Sequence, residues 1–337
     1  MPSGPTDSQT PGSRPTAPVR ATEADVYHAY RLILRREPDA AGLAHYMQLV
    51  SDGLSLGALL GSFSASDEHR RLVEQERRDD QVSVDLGGYQ VVVEKSDPDF
   101  GANIAHWRVY EEPVRQAVRD HLGQDDVCLD VGANVGVMTF LAASCVGPGG
   151  RVIAVEPNPD NVQLLYRGIV LNQFTNVEVL PLAAADRRAV FSLSGRSNTE
   201  LVDLEGPDVI GRLAQTAVLD EMLHDLPRLD LVKMDIEGGE PAALRGLRHL
   251  VTTHRPTLIV EFNPRCLERR GEDVRAFANQ VLELYPRIRA LSSFGDDEPF
   301  TRTDDLMAFW RRRSAEITAE GTLPAGLLHF DLVAARE

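Results

Sequence analysis

The sequence predicts an α/β protein: a mainly parallel sheet covered by helices on both faces, its last strand antiparallel, preceded by a small all-helical domain. Three observations predict it. From Val127 onward, strand-sized apolar segments alternate with amphipathic helical ones; before residue 80, apolar residues recur only at helical spacing; between the two, residues 82–95 switch to period two. Alternation of strand and helix implies parallel strands joined by crossover helices, because such connections must pack back onto the sheet.

The first twenty residues are rich in Pro, Ser, Thr and Gly and hold no apolar stretch, so 1–21 reads as a disordered tail without a secretory signal. Residues 22–80 read as helices. Val26, Tyr30 and Ile33–Leu34 share one spacing, Leu43, Tyr46, Met47 and Val50 a second, Leu56, Leu59, Leu60 and Phe63 a third, with Pro38-Asp39 and Asp52-Gly53 between them. The charged run Glu74–Asp80 reads as a connector to a second domain, 81–337. There Val82, Val84 and Leu86, then Val91 and Val93, alternate about Gly87-Gly88, a strand–turn–strand signal followed by a helix near Tyr110–Leu122. Strands are expected at Val127–Val131, Arg151–Val155, Val177–Leu180, Leu229–Met234, Leu258–Phe262 and Ile288–Leu291, with a late strand at Leu327–Val333 that pairs antiparallel. Helices are expected near Val137–Ser144, Pro159–Leu171, Pro241–Leu250 and Asp273–Leu284.

Composition excludes several classes. The net charge of −16 repels phosphate backbones and anionic lipid, which argues against nucleic-acid and membrane-surface partners. No apolar run approaches the roughly 20 residues of a membrane helix. Cys128, Cys145 and Cys266 form neither a disulfide framework nor a zinc spacing; a reducing, cytoplasmic setting suits them.

Ligands of such sheets bind beyond the carboxyl ends of the strands, and polar residues gather there. The first strand of the alternating series ends in Asp130-Val131-Gly132-Ala133-Asn134-Val135-Gly136. Gly132 and Gly136 permit a tight turn and close approach of the backbone to a ligand. The loop lacks the Gly-x-Gly-x-x-Gly spacing of a dinucleotide site, and Asp130 would repel a pyrophosphate. It suits a phosphate-free ligand carrying an ammonium and a sulfonium, such as S-adenosylmethionine; the alternative is an ordinary glycine-bearing turn. The second strand ends at Glu156, placed to accept from ribose hydroxyls, or else to favour the start of the helix that Pro159 opens. After the third strand, Ala183-Ala184-Ala185 leaves room for an adenine ring and Asp186 is an acceptor for its amine, or part of a surface turn. The fourth strand ends in Asp235-Ile236-Glu237-Gly238-Gly239-Glu240, where three acids in one turn repel unless something relieves them; Glu237 and Glu240 have helix capping as their alternative. The fifth carries Glu261, a lone carboxylate in an apolar strand, facing the acceptor or held in a structural ion pair.

These motifs in series resemble the FkbM-like methyltransferases. The resemblance runs from about 82 to 333. It rests on Asp-Val-Gly-Ala-Asn-x-Gly at 130–136, Glu156-Pro-x-Pro-x-Asn161, Leu171-Asn172, Leu219-Asp220, Asp230-x-x-Lys233-x-Asp235-x-Glu237-Gly-x-Glu240, Leu247, Arg255-Pro256-x-Leu-Ile-x-Glu261 and Glu112-Pro113. Val135 stands where the family often has Ile, and Gly239 where Ala is usual. The resemblance implies a Rossmann-like class I methyltransferase sheet of seven strands, S-adenosylmethionine as cofactor, and O-methylation of a sugar, glycan or natural-product hydroxyl. Carried over residue by residue, Asp130, Gly132 and Gly136 line the methionyl end with Asn134 in the same loop, Glu156 holds the ribose, and Asp235 lies nearest the transferred methyl. Asn158, Ala184 and Asp186 complete the expected cofactor set. Residues 26–68 are similar to a helical domain of unknown function through Tyr30-Arg31-x-x-Leu34-x-Arg36-Glu37-Pro38-Asp39-x-x-Gly42-Leu43, Tyr46, Gly53 and Ser66-x-Glu68. It is read as a module that docks a partner or substrate carrier.

Methyl transfer to a hydroxyl needs alignment and a proton acceptor. Asp235 and Glu261 are the candidates for catalysis, His106 and His224 lesser ones. A Mg²⁺ on Asp235, Glu237 and Glu261 is the less favoured arrangement. Two competing readings are a non-catalytic glycan- or protein-binding adaptor built on this scaffold, and a nicotinamide oxidoreductase, which the missing third glycine disfavours. Acceptor specificity is expected in 195–212 and 295–303.

Overall fold

Thr22 opens the first helix by a reciprocal cap: its hydroxyl accepts from the Asp25 amide and the Asp25 carboxylate accepts from the Thr22 amide. That helix belongs to the first of two units into which the chain divides, Met1–Asp80 and Gln81–Glu337. The computed structural model describes residues 18–98, 100–198, 200–202, 211–291, 299–324 and 326–335.

The first unit holds α1 (Glu23–Ile33), α2 (Ala40–Ser51), α3 (Leu56–Ser64) and α4 (Asp67–Asp80). Asp39 and Ser55 cap α2 and α3 by accepting from backbone amides, which places turns where the sequence breaks its apolar periodicity. Its core is Val26, Ala29, Tyr30, Leu34, Leu59 and Phe63, with Tyr30 edge-on to Phe63 at 4.8 Å. Arg36 makes a two-pronged bond to Glu68 and lies over the Tyr30 ring at 5.0 Å. A Cβ on Gly42 would stand 2.1 Å from the Tyr30 hydroxyl, so only glycine fits there. Residues 19–21, which the sequence placed in the tail, are bonded to the loop before α3. Val19 accepts from the Leu56 amide, Ala21 donates to Leu54, and Arg20 bridges Ser55 antiparallel. Residues 1–17 lie outside the described residues.

The second unit begins with the hairpin β1 (Gln81–Asp85) and β2 (Gln90–Glu94), then α5 (Gly101–Trp107) and α6 (Glu112–His121). The alternating series is β3 (Val127–Val131), α7 (Val137–Val146), β4 (Arg151–Val155), α8 (Pro159–Asn172), β5 (Val177–Leu180) and a small second sheet of β6 (Ala183–Ala184), β7 (Val190–Ser194), β8 (Glu200–Val202) and β9 (Arg212–Ala217). It continues through α9 (Leu219–Met222), β10 (Leu231–Met234), α10 (Glu240–Gly246), α11 (Arg248–His254), β11 (Thr257–Phe262), α12 (Pro264–Arg269), α13 (Val274–Leu284), β12 (Ile288–Leu291), β13 (Pro299–Phe300), α14 (Thr303–Ala319) and β14 (Phe330–Ala334).

The main sheet runs β13-β12-β14-β11-β10-β3-β4-β5. β3, β4, β5, β10 and β11 are mutually parallel, and β14 inserts antiparallel between β11 and β12. This is the seven-strand arrangement with a reversed last strand, plus the short edge strand β13. Both faces are covered, so the strands are apolar at consecutive positions. Leu129, Val232, Leu258 and Val260 enter the core on one face, and Cys128, Leu231 and Ile259 the core on the other.

Three expectations change. The helix expected at Pro241–Leu250 is two, because the backbone leaves helical geometry at Leu247 and Gly246 abuts the Ala185 carbonyl, where a Cβ would lie 2.1 Å away. The helix α14 was not expected, since arginines interrupt the stripe that buries Leu306, Met307, Phe309 and Ile317. The segment expected as acceptor loop, 195–212, contributes β8 and the start of β9, while 199 and 203–210 lie outside the described residues, as does 295–298 of the other such loop. No helix among the described residues is long and apolar enough to cross a membrane.

Phe140 on α7 is fully buried, stacks on Phe174 at 5.6 Å and closes against Gly136 and Gly168. Phe140→Ala is expected to cost about 3–5 kcal/mol, read as a lowered midpoint in urea unfolding.

Candidate active site

The loop after β3 is shaped by three left-handed residues in alternation: Gly132 (φ 88°), Asn134 (φ 50°) and Gly136 (φ 102°). Glycine takes that conformation freely, and asparagine tolerates it better than other side chains. A Cβ on Gly132 would stand 1.9 Å from the Asp235 carbonyl, so this glycine lets the β3 and β10 loops touch. The loop is also fastened to β4: the amides of Gly132 and Ala133 donate to the Val155 carbonyl at 2.9 and 3.0 Å. At the tip of β4, Glu156 is buried and accepts from the Asn134 amide at 2.8 Å, the Asn158 amide at 2.8 Å and the Asn161 side chain at 3.2 Å. By count of lone pairs, Oε2 keeps room for a further donor. Burial pushes the Glu156 carboxyl up to about 7 despite these donors.

A cavity of about 430 Å³ opens where the loops converge, within the usual range for small-molecule sites. Gly132, Asn134, Glu156, Ala184, Asp186, Asp235 and Glu261 all line it. Asp130, Gly136 and Asn158 are not among its lining residues. Asp130 is buried beneath the loop and accepts from the Thr139 hydroxyl at 2.6 Å; burial raises its carboxyl, with Lys233 and Thr139 opposing. Gly136 packs on Phe140 and Leu165. Asn158 caps α8 and donates to the Arg196 carbonyl at 2.6 Å. Asn134 donates its side-chain amide to the Asn198 side-chain oxygen and Asn161 to the Ser197 carbonyl, so a row of amides holds residues 196–198 at the cavity rim. Asp186 also pairs with Arg245 at 2.7 Å.

The deep end is acidic. Lys233 on β10 is buried and its Nζ lies 3.0 Å from Asp235 Oδ2. Burial opposes its charge, yet Asp235, Glu111, Asp130 and Asp331 hold the ammonium well above the ordinary lysine range. Glu261 on β11 accepts from Asn263 at 3.1 Å through Oε1, while its Oε2 is buried without a hydrogen-bond partner among the described residues. Burial, then Asp235 and Glu240, pushes Glu261 well above the usual carboxylate range. Glu240 at the start of α10 reaches back to accept from the amides of Ile236 and Gly238 at 2.7 and 3.3 Å, and burial lifts it to about 7.

The ligand set weighed from sequence, Asp235 with Glu237 and Glu261, is not the one assembled. Glu237 accepts from the Cys266 thiol at 3.2 Å, and it is Glu240 whose oxygen joins those of Asp235 and Glu261, all within 4.8 Å of one another. His106 lies against Trp107 and His224 pairs with Asp225 on the surface; neither lines the cavity.

Two acids escaped the sequence reading. Glu111 lines the cavity, has φ 40° and carries a buried Oε2 without a partner among the described residues. Burial, then Asp331 and Asp235, pushes it up to about 8. Asp331 on β14 sits opposite Glu261 and rises to about 7 through burial and Asp235. A lone acid in the apolar run Phe330–Ala334 was a signal of the kind Glu261 gave; Glu111, in a loop beside another glutamate, offered none.

A doubly covered, mainly parallel sheet with a reversed last strand is the Rossmann-like class I methyltransferase sheet, and a cavity lined by Gly132, Glu156 and Asp235 lies at the carboxyl ends of its strands. Residues 130–296 match the family model of the methyltransferase FkbM domain. Residues 20–73 match a domain of unknown function, DUF4214. A hexuronic acid methyltransferase, AglP, of Haloferax volcanii is 27% identical over 150 residues, 42% of this chain and 59% of that protein, so the chain spans under two thirds of the curated relative it matches. Among solved structures, the methyltransferase FkbM from Methylobacillus flagellatus is 20% identical over 57% of each chain with a TM-score of 0.37. Aeropyrum pernix fibrillarin with bound S-adenosyl-L-methionine is 12% identical over 56% of this chain and 72% of its own, with a TM-score of 0.35.

The raised carboxyls set a pH dependence. Glu111 and Glu156 titrate near 8 and 7 when folded and near 4.5 when unfolded. A raised acid binds its proton more tightly in the folded state, so the stability it contributes is complete below pH 4.5 and is lost as pH climbs through 7 and 8. Unfolding midpoints measured from about pH 5 to about pH 9 are expected to fall, and Glu111→Gln is expected to flatten the upper part of that fall.

Proposed function

We propose that the cavity binds S-adenosylmethionine and that the domain transfers its methyl group to an oxygen of a carbohydrate acceptor. The observation that carries this reading is the donor set: the cavity meets its ligand with the carboxylates of Glu156, Asp235 and Glu261 and with a glycine-shaped loop. That set suits a cationic, phosphate-free nucleoside and disfavours a dinucleotide. Glu156 would hold the ribose through the free lone pair of Oε2, with Asn134, Asn158 and Asn161 fixing the carboxylate from behind. Ala184 leaves the base its space and Asp186 offers it an acceptor. Asp130 and Gly136 act by supporting the loop.

The cofactor supplies an electrophilic methyl on a sulfonium. As the oxygen–methyl bond forms, the sulfur–methyl bond breaks and its electron pair stays on sulfur, which becomes a neutral thioether; the acceptor hydroxyl loses its proton. The protein's part is alignment and management of that proton. We assign action on the hydroxyl to Asp235, steadied by Lys233, and to Glu261; both line the cavity. A sugar acceptor is supported by the hexuronic acid methyltransferase relative.

Calorimetry with S-adenosylhomocysteine is expected to show micromolar binding; absence of heat and of a thermal shift at millimolar ligand would remove the proposal. Asp235→Asn is expected to lower kcat by about 10²–10⁴ with homocysteine-analogue binding kept. Methyl transfer from labelled cofactor to hexuronic-acid glycans, set against neutral ones, tests the acceptor class.

A further inference from the structure

We propose that Asp235, Glu240 and Glu261 form a binding site for one divalent, oxygen-preferring cation at the deep end of the cavity. Two independent observations carry it. The first is convergence: one carboxylate oxygen from each of three elements (the β10 loop, the start of α10 and β11) lies within 4.8 Å of the other two. Oxygen ligands at roughly 2.3–2.6 Å from Ca²⁺ stand up to about 5 Å apart across the ion, and those around Mg²⁺ up to about 4.2 Å. Spacings up to 4.8 Å bring the three oxygens within reach of a Ca²⁺-sized ion after at most a small contraction, and of Mg²⁺ or Mn²⁺ after a larger one.

The second is an orphaned carboxylate oxygen. Glu261 is 8% exposed, lines the cavity and has its Oε2 buried with no hydrogen-bond partner among the described residues. A buried carboxylate oxygen left without a donor is costly, and natural structures fill such positions with a donor, a water or an ion. Burial distinguishes the cluster further from a solvated acidic patch: Glu240 is 1% exposed. The nearest counter-charge is Lys233, spent on Asp235 Oδ2 at 3.0 Å. Fully ionised, the three carboxylates would carry three negative charges beside this one ammonium, and a divalent cation would offset two of them. Glu240 is already oriented for the task, since its Oε1 is fixed by the Ile236 and Gly238 amides.

The site itself does not depend on the methyl-transfer reading. Its use does: if the domain methylates a hydroxyl, an ion held by Asp235, Glu240 and Glu261 would supply Lewis-acid chemistry to that oxygen, and the part of Asp235 and Glu261 in the proposed reaction would then be that of ligands. The ion would lower the hydroxyl's pKa and orient its lone pair toward the methyl donor.

The test is a titration of the full-length protein, stripped with a chelator, with Mn²⁺ alone, followed by electron paramagnetic resonance. The result expected is one bound Mn²⁺ per chain, displaced by Mg²⁺ or Ca²⁺. Glu261→Gln and Glu240→Gln are each expected to weaken it by about tenfold or more. Glu240→Gln keeps an acceptor for the two loop amides, so its fold is preserved, and circular dichroism with S-adenosylhomocysteine calorimetry checks this on both variants. No binding at millimolar Mn²⁺, or binding untouched by both substitutions, overturns the proposal. Mn²⁺ binding without homocysteine-analogue binding would leave the cation site standing and remove the methyl-transfer reading; the converse would do the opposite.

Discussion

A buried ammonium surrounded by carboxylates is the constraint on which the second unit's chemistry depends. Lys233 sits on β10, between β3 and β11, and in register with Asp130 on β3. The acids of Asp235, Glu111, Asp130 and Asp331 gather around it, and the lysine is the positive charge that offsets their mutual repulsion. Removing one partner of a buried ion pair typically costs about 3–5 kcal/mol, because the other is left desolvated and alone. A motif that places Lys two residues before Asp on a central strand is thus structural in the first place. The lysine secures the strand end, and the aspartate it holds faces the cavity.

Around that centre the backbone does much of the positioning. Gly132 touches the Asp235 carbonyl, the loop after β3 donates to the end of β4, and Glu156 gathers amides from both sides of the crevice. Each loop is fixed by its neighbour, so the acids are presented by a rigid rim of strand ends. Such pre-organisation is what a displacement reaction needs, since its barrier depends strongly on alignment. The row of Asn134, Asn158 and Asn161 extends the same device to residues 196–198.

The first unit is built on the same economy at smaller scale. Tyr30, Arg36 and Gly42 lie six residues apart and Glu68 well beyond them, and they explain one another: Gly42 clears the tyrosine hydroxyl, and Arg36 spans the ring and the glutamate. A core of so few buried side chains benefits from such polar fastening.

The sequence by itself determined the sheet, its covered faces and the acids at its strand ends. Those features are local: period-two and period-3.6 apolar patterns, prolines at helix starts, and a charge where an apolar strand stops. Val127–Val131, Arg151–Val155 and Val177–Leu180 could be read to the residue for that reason. Only the tertiary structure decided which acids share a pocket. Glu237 and Glu240 differ by three positions in one turn. The left-handed backbone at Glu237 and Gly238 sends one toward Cys266 and brings the other to Asp235 and Glu261. Asp130 was legible as a strand-end acid, but its burial against Thr139 was not. Glu111 and Asp331 arrive from the two ends of the domain, and α14 and the small sheet form on long-range packing that weak local patterns do not announce. Periodicity reports which face of an element is buried; which elements then meet is set by chain closure and packing, and those act between residues a hundred or more apart.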